Sequence, residues 1–176
     1  MTILILGVDP GEMRTGYAWH IRFDQQSQTC YKKGILQTEK QLFPWLDSWS
    51  EQIAVFPHDK FVVVCEDFIQ RPGLEQKWIK QPTAKVFGAV AYTAYKHGAT
   101  FLAGRPDNLR AGCVFAKIPF PKGHLSDDLS AQAHAAYVGH TGLPNPLPNW
   151  LGTKERKPGA TTKRPPSRTA NPRRRA

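Results

Sequence analysis

Ile3-Leu4-Ile5-Leu6-Gly7-Val8-Asp9-Pro10-Gly11 is followed, after three residues, by Thr15-Gly16-Tyr17-Ala18. The apolar run over 3–8 stops at an Asp-Pro-Gly breaker, which predicts a buried strand and then a tight turn. Working outward, Thr15 to Phe23 and Thr29 to Leu36 read as two more strands around the polar 24–28 segment, an antiparallel meander. Leu42, Leu46, Trp49, Ile53 and Phe56 recur at spacings of 4, 3, 4 and 3, the pattern of one amphipathic helix, with Pro44 in its first turn. Phe61-Val62-Val63-Val64-Cys65 is apolar on both faces. It predicts a central strand parallel to the first, ending at Glu66-Asp67.

Further on, Pro82 suits the first turn of a helix running to His97, and Gly98 its stop. Residues 99–103 predict a fifth strand, 107–115 a short helix, and Ser126 to Val138 a last helix broken at Gly139. The order β-β-β-α-β-α-β-α implies an α/β fold: a five-stranded mixed sheet flanked by α-helices. Residues 142–150, rich in proline, mark its edge, so 1–150 read as one domain and 151–176 as a tail.

The chain has 176 residues and a formal charge of +10. Lys154, Arg156, Lys157, Lys163, Arg164, Arg168, Arg173, Arg174 and Arg175 stand against Glu155 alone, so residues 1–152 carry only two of those ten charges. A basic, Pro-rich tail without aromatics cannot offset its ordering entropy, and reads as disordered. Its charge suits non-specific attraction to phosphates, or simply solubility. Cys30, Cys65 and Cys113 are odd in number and widely spaced. They fit neither a disulfide framework nor a zinc site, and predict a reducing, cytoplasmic compartment. The N-terminal apolar run lacks a basic leader and is too short to span a membrane.

Asp9 and Glu66 stand at strand ends, and Asp127 in the first turn of the last helix. Strand ends in α/β sheets are where ligands bind. Carboxylates gathered there repel one another, and hard divalent cations relieve that repulsion. Two such ions can activate water and stabilise the leaving oxygen of a phosphodiester. Singly, each residue has a plainer reading: Asp9-Pro10-Gly11 as a turn, Glu66 as a solvated strand end, Asp127 or Asp128 as complements to a helix dipole. Their coincidence in one topology carries the case.

The residues also carry a resemblance. Residues 5–11 with Thr15-Gly16-Tyr17-Ala18 resemble the opening motif of RuvC-like Holliday junction resolvases. Residues 62–68, ending Glu66-Asp67-Phe68, are similar to that family's second motif. His124-Leu125-Ser126-Asp127-Asp128-Leu129 is similar to its third, in the His-x-x-Asp form of phage-type relatives. The resemblance covers about residues 3–140.

It implies an RNase H-like fold, two Mg²⁺ ions (Mn²⁺ substituting), and metal ligation by Asp9, Glu66, His124 and Asp127. It further implies a homodimer that nicks a four-way DNA junction in pairs, with water as the nucleophile, in a bacterial cell or a phage-infected host. His124 and Asp127, spaced i, i+3, are expected on one helix face. His124 then serves as ligand or in proton transfer. Asp128, where the family more often has Ala, and Asp67 are expected to support the ligands or to be solvated.

Arg71, Lys77, Trp78, Lys80 and Lys85 interleave basic residues with an aromatic close behind Glu66, which suits phosphate contact and base stacking. A solvated loop is the plain alternative. Phe68 is a further stacking candidate, and Arg14 a phosphate contact that also resembles the YqgF-type opening motif. Three rival functions remain at this point: a flap or branched-DNA nuclease with little junction specificity, a catalytically silent DNA-binding protein, and an actin-like ATPase. The last needs a second lobe for which the chain has little room.

Overall fold

A computed structural model describes residues 1–23, 28–67 and 82–142. The strand β1 (Ile3–Asp9) lies at the centre of the sheet. It pairs antiparallel with β2 (Arg14–Arg22), which pairs antiparallel with β3 (Gln28–Gln37). On its other side β1 pairs parallel with β4 (Lys60–Glu66), and β4 pairs parallel with β5 (Thr100–Gly104). The order is therefore β3-β2-β1-β4-β5, the expected meander joined to a parallel half.

Alternation along the central strands divides the core in two. Leu4, Leu6, Val8, Phe61, Val63 and Cys65 face α1 (Thr38–Asp47), α2 (Trp49–Ala54) and α3 (Pro82–Lys96). Trp19 and Trp49 are fully buried there, with ring centroids 6.1 Å apart and edge-to-face. Ile3, Ile5, Val62 and Val64 point the other way, onto α5 (Asp127–Thr141), which α4 (Leu109–Ala116) flanks. Each such buried branched side chain contributes roughly 1.5–3 kcal/mol.

Two glycines let α5 rest directly on the strands. A Cβ at Gly7 would overlap the Ala131 carbonyl, and one at Gly16 the Asp127 carbonyl. The helix backbone thus takes the space of absent side chains, and its first turn is brought down to the end of β1.

Two helices differ from expectation. The single helix over 42–56 is two, because Ser48 closes the first: its Oγ donates to the Trp45 carbonyl (2.8 Å) and its N–H reaches the Pro44 and Trp45 carbonyls. α1 also starts earlier, at Thr38, so Pro44 lies inside it rather than in its first turn. At the other end α5 runs through Gly139 to Thr141, because Gly139 is buried against Ile5 and Gln28 rather than placed at a helix end. The three cysteines are unpaired. No helix among the described residues is long and apolar enough to cross a membrane.

Candidate active site

The site forms where β1, β4 and α5 meet. Asp9 shares the parity of Ile3, Ile5 and Gly7, and Glu66 that of Val62 and Val64, so both carboxylates leave the sheet toward α5. The turn behind Asp9 is fixed from α1. Thr38 Oγ1 donates to the Gly11 carbonyl (2.9 Å), and the Thr38 N–H donates to the Met13 carbonyl (3.0 Å). Thr15, fully buried, shares a 2.9 Å hydroxyl contact with Thr38.

From the helix side, Asp127, Ser130 and His134 form one stripe with spacings of 3 and 4. Ser130 Oγ donates to Glu66 Oε2 at 3.2 Å, and His134 Nε2 lies 3.3 Å from the same oxygen. Ser130 also hydrogen-bonds Asp9, whose carboxyl feels the charge of Asp127.

The electrostatics separate the two strand-end acids. Burial first, then the charge of Glu66, pushes the Asp9 carboxyl up to about 7, against a smaller lowering by the Ser130 hydrogen bond. Burial acts to raise Glu66 as well. The hydrogen bond and charge of His134, with hydrogen bonds from Ser130 and Asp9, outweigh it and hold Glu66 below the usual glutamate value. Glu66 is therefore ionised while Asp9 keeps a proton near neutrality, an arrangement of two carboxyl groups that cannot both be charged cheaply.

The expected residues fare differently. Asp9 and Glu66 come together, and Asp127 stands near enough for its charge to act on Asp9. His124 does not share a helix face with Asp127. Ser126 is extended (ψ 149°), α5 starts after it, and His124 lies exposed in the segment before the helix. Asp128 turns toward β3, accepting from Ser126 Oγ (2.7 Å) and pairing with Lys33 (3.5 Å). Asp67 is exposed, and its N–H donates to the Gly104 carbonyl (2.8 Å). Arg14 pairs with Asp127 at 3.9 Å. Arg14 and the exposed Lys85 also line an open cavity of about 980 Å³ that includes Glu12, Lys40 and Phe43. Phe68, Arg71, Lys77, Trp78, Lys80 and the tail from 151 lie outside the described residues.

Ser130 and His134 are the residues the sequence reading missed. Their signal was present: two polar residues one and two turns after Asp127, on the face of an Ala-rich helix that must be buried.

Among the described residues, no three His, Cys, Asp or Glu side chains are arranged to hold one metal ion together. The chemistry of the donors nonetheless fits a hard divalent cation. Asp9 and Glu66 offer oxygen ligands in a half-buried setting where burial and their mutual repulsion raise Asp9 to about 7, and a cation would relieve that repulsion.

A central β1 flanked by an antiparallel meander and a parallel pair, with helices on both faces and acids at the β1 and β4 ends, defines an RNase H-like α/β fold. Solved structures share it. The structure of T. thermophilus RuvC in complex with a Holliday junction substrate superposes with a TM-score of 0.55 at 16% identity, over 82% of this chain and 99% of that one. A second Thermus thermophilus RuvC structure gives 0.52 at 18% identity, over 84% and 100%. No family model matches the sequence, and no curated protein matches it.

Proposed function

We propose that this chain is a divalent-metal-dependent endonuclease that resolves four-way DNA junctions. The observation that carries the reading is the Asp9–Glu66 pair at adjoining strand ends of an RNase H-like sheet, in a fold shared with a protein solved on a Holliday junction. Asp9 and Glu66 would hold the cation, and Asp127, at the start of α5, would add its charge from nearby. When bound, Mg²⁺ or Mn²⁺ supplies charge neutralisation and a water acidic enough to attack a phosphodiester.

The chain's own residues prepare the place. A bound cation would favour the ionised form of Asp9, while Ser130 and His134 hold Glu66 and Thr38 clamps the Gly11 turn. Arg14 and Lys85, on the cavity wall, and the basic tail are suited to the phosphate backbone. Two copies working as a homodimer would supply the paired nicks that resolution requires. His124, exposed before the first turn of α5, would serve in ligation or proton transfer.

The test is Mg²⁺-dependent nicking of a synthetic four-way junction, compared with Y-shaped and linear duplexes, for wild type and Asp9→Asn. Junction nicking lost in EDTA and in Asp9→Asn supports the proposal. Cleavage retained by Asp9→Asn overturns the site, and equal rates on all three substrates overturn junction specificity.

A further inference from the structure

His134 is 1% exposed, in the middle of α5, yet it carries two ring nitrogens into the core. Burying them costs free energy that Leu or Phe at the same place would not incur, unless the ring's hydrogen bonds serve a purpose. Its Nε2 faces Glu66 Oε2 at 3.3 Å, and Ser130, one turn earlier, donates to that same oxygen at 3.2 Å. The opposite edge of the ring lies over β5. A Cβ added at Gly104 would come within 2.9 Å of His134 Nδ1. Gly104 is also the register partner of Glu66 in the β4–β5 pairing. The imidazole therefore fills a slot that exists only because residue 104 has no side chain, and that slot directs it at one carboxylate oxygen. Three elements, β4, β5 and α5, cooperate to hold one ring against one acid.

We infer that His134 is a positioning residue for Glu66: it donates Nε2–H to Oε2, with Ser130 as a second donor, and fixes the carboxylate so that Oε1 is left to a cation. This rests on the reading of the Asp9–Glu66 pair as a divalent-cation site. Hydrogen bonds behind a ligating carboxylate set its orientation, and their loss typically weakens metal binding 10–100-fold. The slot also explains why a histidine rather than a longer donor stands here. Its ring is rigid, and its position is set by packing on two sides rather than by a flexible stem.

The experiment is a calorimetric Mn²⁺ titration of the full chain, with thermal melting run alongside to establish folding. Wild type binds Mn²⁺. His134→Phe, similar in bulk but without a donor, weakens binding roughly 10–100-fold. His134→Gln, which keeps an N–H donor, restores most of it, a rescue that a purely packing role would not give. Gly104→Ala, which crowds the ring from β5, weakens binding while leaving the Glu66 backbone in place. Should His134→Phe not fold, His134→Gln and Gly104→Ala carry the comparison. Unchanged Mn²⁺ affinity in the folded His134→Phe or Gly104→Ala protein overturns the inference, as does a Gln variant no better than Phe. Absence of Mn²⁺ binding by wild type instead overturns the cation reading beneath it.

Discussion

Asp9 and Glu66 each stand one residue beyond the Val8↔Cys65 register pair of two parallel strands, so their carboxylates leave the sheet side by side toward α5. Neighbouring parallel strands are about 4.8 Å apart, so two acids placed this way interact strongly once partly buried. The fold thus produces both the burial, the larger cause, and the repulsion that together raise Asp9 to about 7.

Replacing Asp9 with Asn should abolish nicking and stabilise the metal-free protein at neutral and alkaline pH. Asp9's folded pKa lies above its unfolded value of 3.8, so the folded state holds its proton more tightly. Its contribution to stability is full below pH 3.8 and is lost as pH rises through about 7. Asp9→Asn removes that loss, a gain of up to about 4 kcal/mol at pH 8 that shrinks toward zero near pH 4. Thermal melts in EDTA across this range check it. A variant less stable than wild type at pH 8 would refute the account. Saturating Mg²⁺ should raise the wild-type melting temperature and leave Asp9→Asn nearly unmoved.

The contact between α5 and the sheet gives a second expectation. Gly7→Ala forces a Cβ into the Ala131 carbonyl, and neither β1 nor α5 can yield without disturbing the core. A loss of about 1–3 kcal/mol is expected from overpacking. Gly88→Ala, on α3 with nothing within 4 Å of the added carbon, should instead stabilise by about 0.5–1 kcal/mol. Urea denaturation of both variants decides. Equal effects would mean that α5 does not rest on Gly7.

His20, 2% exposed on β2, predicts an acid-sensitive fold. Burial pushes its imidazole down to about 4, with the nearby Gln28 side chain opposing and the Lys33 charge adding to the shift. Because the folded pKa lies below the unfolded 6.5, stability is intact above pH 6.5 and falls as pH drops toward 4, by about 3 kcal/mol. A folded His20→Phe protein should show a shallower decline over this window in urea melts. Parallel declines for the two proteins would exclude His20 as the cause.

The strands and the paired acids were legible because chemistry and period coincide locally. Apolar runs that end abruptly at Asp9 and Glu66 announce both the strand and the acid at its end. Asp127 was legible from its place at a helix start. His134 showed only as a polar residue on a face that must be buried; what it does there depends on a slot opened by Gly104, thirty residues away in sequence and on another element. His124 was placed on the helix by spacing alone. The extended backbone at Ser126 is a tertiary outcome that an i, i+3 count cannot register. The split at Ser48 is of the same kind: the apolar period continues through it while the hydroxyl closes one helix on the Trp45 carbonyl.

The basic C-terminal segment makes the last prediction. Residues 153–176 hold nine of the chain's 24 Lys and Arg, with one acid. Each phosphate that such residues neutralise on duplex DNA adds roughly 0.9 to the slope of log affinity against log salt. Removing 153–176 should therefore weaken junction binding most at low salt and flatten that slope by several units. Nicking within the bound complex should persist, because Asp9, Glu66 and their supports lie before residue 143. Filter binding between about 50 and 200 mM salt, where such contacts change affinity most steeply, measures the slope. A deletion that leaves it unchanged would return the segment to a solubilising role and place the phosphate contacts on the folded domain, with Arg14 and Lys85 the first residues to replace.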